Sequence, residues 1–137
     1  MVDPSSDLPG RIRALGLPDV VGRIAVDGGE SVSPALWYRA KSVWPEVAEA
    51  AMGAVDEELV PLWACDTTHA FAGRGRYLLL APEADEPLSV FADFAGLVRD
   101  LLTDLYEDQE DDAERERVAH LLLPAEEAEA ALVPKER

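Results

Sequence analysis

Leu59-Val60-Pro61-Leu62-Trp63-Ala64-Cys65, Thr68-His69-Ala70-Phe71-Ala72 and Arg76-Tyr77-Leu78-Leu79-Leu80 are three apolar runs set close together in the chain. Gly73-Arg74-Gly75 divides the second from the third, a spacing that suits a hairpin with a short glycine loop. Pro61 cannot donate to a ladder, so the first run reads as an edge strand or as one carrying a bulge. Strands that follow one another this closely pair most simply as an antiparallel meander.

Helical signals lie on both sides of this meander. Ser6 or Asp7 can cap a short helix bearing Ile12 and Leu15, which Gly16 stops. Val20 to Val26 fits a strand by its β-branched residues and a short helix equally well. Asp27-Gly28-Gly29 is a turn. Ser33-Pro34 is a helix start that predicts a helix through Trp37, Tyr38 and Lys41. Pro45 predicts a break or kink at Trp44, with helix resuming from Glu46 to Met52. Beyond a surface loop from Pro82 to Pro87, Ser89 reads as the cap of an amphipathic helix. Its stripe is Phe91, Phe94, Leu97, Val98, Leu101, Leu102 and Leu105, and Asp93, Asp100 and Asp104 fall toward water. Ala113 to Leu123 and Ala125 to Leu132 predict two further helices, a helical C-terminal extension over 106–137. At 137 residues, with nearly half of them apolar and no long linker, the chain predicts one domain.

Charge is unevenly placed. Residues 1–77 carry 7 basic and 11 acidic side chains, and residues 78–137 carry 5 and 17, within a net charge of −16. Glu107-Asp108-Gln109-Glu110-Asp111-Asp112 is the densest stretch. Such a surface repels nucleic acid and anionic membrane and attracts basic partners. The longest apolar stretch, Tyr77 to Ala81, is too short to cross a bilayer, and Met1 to Asp7 lacks the pattern of a signal peptide. The expected location is the cytoplasm, which a single cysteine, Cys65, also suits.

No constellation of catalytic or metal-binding residues survives inspection. Asp108, Glu110 and Asp112 alternate like calcium ligands, but Ala113 stands where the loop needs glycine and Ala119 where it needs the closing acid. Cys65 and His69 lie near each other in sequence, yet the nearest charge is Asp66, which opposes a thiolate. Two histidines with one cysteine make no zinc site. Arg74-Gly75-Arg76 is a single copy and cannot offset the net charge. Asp27-Gly28-Gly29-Glu30 lacks the lysine of a phosphate loop. Trp37, Trp44 and Trp63 read as core. No catalytic residue, metal or cofactor is expected. The acidic run itself fits either a solvated, helix-capping junction or a docking surface.

The order of elements resembles that of the SUKH superfamily. Leu17-Pro18 followed by Asp27-Gly28-Gly29 is similar to the opening of those domains, Leu59 to Trp63 with its hairpin to their central strands, and Ser89 to Leu97 to their closing helix. The likeness covers about residues 8–105. It implies an α+β fold, a mainly antiparallel sheet packed with helices, and an immunity role in which the domain binds and neutralises a cognate polymorphic toxin, such as a nuclease or deaminase. It brings no catalytic residues. The expected partner is a protein toxin with a basic surface, met by Glu83, Asp85 and Glu86 and by Asp104, Glu107, Asp108, Glu110, Asp111 and Asp112. The chain itself is expected to be a monomer or weak dimer. A regulatory or scaffold interaction module is the alternative.

Overall fold

In the computed structural model, which describes residues 8–53, 55, 57–108 and 111–132, four strands form one antiparallel sheet in the order β1-β2-β3-β4. They are β1 (Val60–Cys65), β2 (Thr68–Ala72), β3 (Tyr77–Leu80) and β4 (Ser89–Phe91). The meander read from the sequence is therefore present and gains a fourth strand. Pro61 has both expected consequences. β1 is a terminal strand, and its register passes from Pro61↔Phe71 to Trp63↔Ala70, leaving Leu62 as the extra residue of a bulge.

Side chains alternate across β2, so each face of the sheet collects its own cluster. Ala70 and Ala72 face the larger core, with Leu62, Trp63 and the buried residues of α1 (Leu8–Ala14), α2 (Asp19–Asp27) and α4 (Phe94–Glu107). His69 and Phe71 face the other way. Phe71 packs with Leu59, Leu78 and Leu80 under Ala48 and Ala51 of α3 (Pro45–Met52). The whole is one α+β domain, as expected.

Val20 to Val26 resolves as helix: α2 buries Val21, Ile24 and Ala25 at helical spacing, a stripe that no strand of this sheet could use. Two other readings are corrected. Ser33 does cap the following turn, its Oγ accepting from Ala35 N–H at 3.2 Å, but only one 3₁₀ turn forms over Pro34–Leu36. The chain cannot continue as helix because Lys41 exchanges both backbone hydrogen bonds with Ala64 of β1, at 2.6 and 2.9 Å. The turn is drawn in at Gly29, where a side chain would run into the Ala40 carbonyl and Leu36. Ser89-Val90-Phe91 is strand, not the start of a helix. The cap of α4 is Asp93, whose carboxylate accepts from Gly96 N–H at 2.8 Å. Pro45 opens α3 as its first residue after an extended Trp44, so the expected break is real. The Ser6 or Asp7 cap lies outside the described residues.

α5 (Asp112–Leu122) and α6 (Ala125–Ala131) complete the helical layer. They are tied to α4 by one buried cation. The Arg115 side chain donates from Nε to the Leu102 carbonyl at 3.0 Å and from its terminal nitrogen to the Leu132 carbonyl, with its guanidinium 5.1 Å from the Tyr106 ring. Arg115→Met keeps the apolar stem and removes the guanidinium that bridges those two carbonyls. It is expected to lower the unfolding free energy by about 2–3 kcal/mol, read as a lower denaturant midpoint at unchanged slope. An unchanged midpoint would contradict the staple.

Candidate functional site

Cys65 and His69 do not meet. Cys65 pairs with Thr68 and His69 with Ala64, which places them on opposite faces of the sheet. His69 is fully buried on the α3 side. Its Nε2 accepts from Trp44 N–H at 3.0 Å, so the proton sits on Nδ1, which donates to the Thr67 carbonyl at 3.2 Å. Burial pushes this imidazole below its ordinary value. It is a neutral structural bridge between β2 and the entry to α3.

Cys65 instead opens into a cleft of about 280 Å³ between the sheet and α4. Ala70, Leu79 and Leu97 form its apolar part, and Asp66, Asp100 and Asp104 lie around it with Arg39. Burial, chiefly, raises the Cys65 thiol, the wrong direction for a nucleophile. Asp104 is not simply on the wet side of its helix. Burial and the neighbouring Asp100 push its carboxyl up.

Arg39 organises the mouth of this cleft. Its guanidinium grips Asp108 with two hydrogen bonds of 2.8 Å and stands 3.8 Å from Asp104. The grip holds the Asp108 carboxyl below its usual range. The adjoining residues are aromatic. Tyr38 donates its hydroxyl to Asp66 at 2.8 Å, and its ring has Arg39 at 5.5 Å and Lys41 at 5.6 Å. Trp37 lies 5.6 Å from the Tyr38 ring and is 57% exposed. Trp44 is 53% exposed, and of the three tryptophans only Trp63, at 4%, belongs to the core. The expectation that all three are core is therefore corrected. A single 3₁₀ turn cannot form the helical face that would have carried Trp37 and Trp44 inward.

The acids expected at the partner surface fall into two kinds. Asp111 is occupied as the cap of α5, accepting from Ala113 N–H at 2.7 Å, and Asp112 lies in that helix's first turn. Asp108 and Asp104 belong to the Arg39 clasp. Glu107 and Asp112 are exposed, and Glu110 lies outside the described residues. Glu83, Asp85 and Glu86 are exposed on the connection that leaves β3. Because His69 pairs with Leu80 and Cys65 with Thr68, this connection exits at the same end of the sheet as the 65–68 turn. Acids from three distant segments thus gather at one end. The opposite end holds the β2–β3 loop and an open groove of about 720 Å³, where Arg11, Arg74 and Arg76 lie beside Glu57, itself paired with Arg76. Sequence reasoning missed Trp37, Tyr38 and Arg39. Their one signal was position: aromatic and cationic residues standing just beyond a serine–proline turn.

Among the described residues no group of carboxylates, histidines and cysteine is arranged to hold a metal, and no helix is long and apolar enough to cross a membrane. Compared with protein-family models, curated proteins and solved structures, the chain matches none.

The neutral His69 makes stability depend on pH. Unfolded, the ring takes a proton near its ordinary value of 6.5, whereas the folded ring resists protonation. Its contribution is complete above about 6.5 and is lost as pH falls toward the depressed folded value, at no more than about 1.4 kcal/mol per pH unit. Denaturation of the native chain and His69→Gln between pH 7 and 5 is expected to show the native chain losing stability relative to the variant. Parallel curves would mean that His69 is not held neutral.

Proposed function

We propose that this chain is an immunity protein of the SUKH type, which binds a cognate toxin domain through its acidic end and blocks it. The observation that carries this reading is the setting of Trp37 and Tyr38. Exposed Trp37 and half-buried Tyr38 stand side by side near carboxylates contributed by Asp66, Asp104 and Asp108. Aromatic residues at the centre of a contact supply most of its affinity, while charge around them sets partner choice and rate of approach. The two are found together here on a chain of net charge −16.

A toxin that acts on nucleic acid needs a basic cleft, and an acidic face fits over such a cleft by taking the positions of phosphates. Approach is accelerated by the long-range field, and the exposed Trp37 face then supplies apolar area and a surface for a partner arginine or lysine. The clasp of Arg39 on α4 presets this geometry, which lowers the ordering cost of binding. Nothing in the proposed role requires a reaction from the chain.

The test is co-expression with the C-terminal domain encoded beside this gene, scoring survival and copurification. Survival and a stable complex are expected. In the purified pair, Trp37→Ala is expected to weaken binding by about 30-fold or more, mainly through faster dissociation. Its melting point should stay unchanged, because the ring is exposed. Survival unaffected by the protein removes the immunity reading. Binding without protection would assign the chain to a regulatory role instead.

A further inference from the structure

The two edges of the sheet are finished differently. β1 is covered on its outer side: Lys41 bridges to Ala64, and the Arg11 guanidinium reaches the Leu59 carbonyl at 3.4 Å. At the other edge, β4 pairs with β3 through Tyr77↔Phe91, Leu78↔Val90 and Leu79↔Ser89. Among the described residues no segment bridges its outer side. None of its three residues is buried.

Val90 shares a face with Leu78, the face that carries α3, yet it lies outside the cluster α3 covers and is 53% exposed. Leu88, two residues earlier, is 55% exposed. An open edge with uncovered apolar side chains is a template for another strand, and the usual deterrents are shortness, a charged side chain, a bulge or a proline within the strand. Ser89-Val90-Phe91 is short, three residues, but carries no charge, bulge or proline; Pro87 stands before it. Its shortness limits the pairing of two such edges more than the addition of one longer segment.

Charge selects the occupant. Glu83, Asp85 and Glu86 precede the strand and Asp93 follows it. A second copy would bring acid against acid, Glu83, Asp85 and Glu86 toward its Asp93 in an antiparallel pairing, on molecules that already repel at −16 each. A basic segment gains where a second copy loses.

We propose that the outer edge of β4 accepts an extended, basic segment of the partner protein as a fifth strand. Its main chain pairs with Ser89–Phe91, an apolar residue lies beside Val90 and Leu88, and its lysines or arginines lie toward Glu83, Asp85 and Glu86. This is strand addition, in which backbone hydrogen bonds give affinity and alternate side chains give choice. It rests on the reading that the partner is a basic protein.

The probe is an eight-residue peptide alternating lysine and valine, added to the full isotope-labelled chain at low ionic strength, with an alternating glutamate and valine peptide as control. The lysine peptide is expected to slow amide exchange by about tenfold or more at those amides of Ser89–Phe91 that point away from β3, which alternate along the strand, and the glutamate peptide to leave it unchanged. The triple variant Glu83→Lys, Asp85→Lys, Glu86→Lys, with its fold confirmed by an unchanged spectrum elsewhere, is expected to reverse the preference. No protection by either peptide overturns the proposal, as does equal protection by both. Perturbation confined to Trp37, Tyr38 and the end of α4 overturns it too, since the peptide is then held by charge elsewhere. Protection that grows with protein concentration alone replaces the basic segment with a second copy. Because the probe is not a toxin, cell survival with an inert β4 edge defeats only this inference, and a protected edge without survival defeats only the immunity reading.

Discussion

β2 is buried from both sides, and its alternation is the constraint from which the rest follows. Ala70 and Ala72 are small, so the broad helical layer can pack close to that face with Trp63 and Leu62 filling the space between. Phe71 is large and fills the shallower cluster beneath the single helix α3. One residue of slip would exchange these faces and leave both layers badly filled, so the register is strongly determined. That register also separates Cys65 from His69 and turns the Cys65 side toward the cleft beside α4.

Acid in this chain is distributed by the fold rather than by the sequence alone. The run from Glu107 to Asp112 looks like one feature, but its members have different work. Asp108 is gripped by Arg39, Asp111 caps α5, and Glu107 and Asp112 face solvent. Conversely, Asp66, Asp104 and the connection carrying Glu83, Asp85 and Glu86 are far apart in sequence and reach the same end of the sheet. Ionic contacts at the surface contribute little to stability. The Arg39 clasp matters for position: it sets the residues next to it, Trp37 and Tyr38, against the end of α4.

Much of this architecture was legible where a signal had one physical meaning. Gly73-Arg74-Gly75 between two apolar runs could only be a tight connection, and Pro61 could only disturb a ladder. Signals with two meanings misled. A serine–proline pair opens a long helix and a single 3₁₀ turn equally well, and the pairing of Lys41 with Ala64, which decided the case, is invisible locally. Phe91 stands three residues before Phe94 and so extends the helical stripe by coincidence, although Asp93 was the true cap. The candidate site was the least legible part. It needed the exposure of Trp37 and the register of the sheet, and neither is a property of any short stretch.

If the gathered acid is what guides a partner to this end of the molecule, the rate of association must carry its mark. The direct measurement is the association rate constant of this chain with the proposed basic partner, followed across ionic strength. That rate is expected to fall steeply as salt rises, while dissociation changes little. An association rate indifferent to salt would contradict that guiding role.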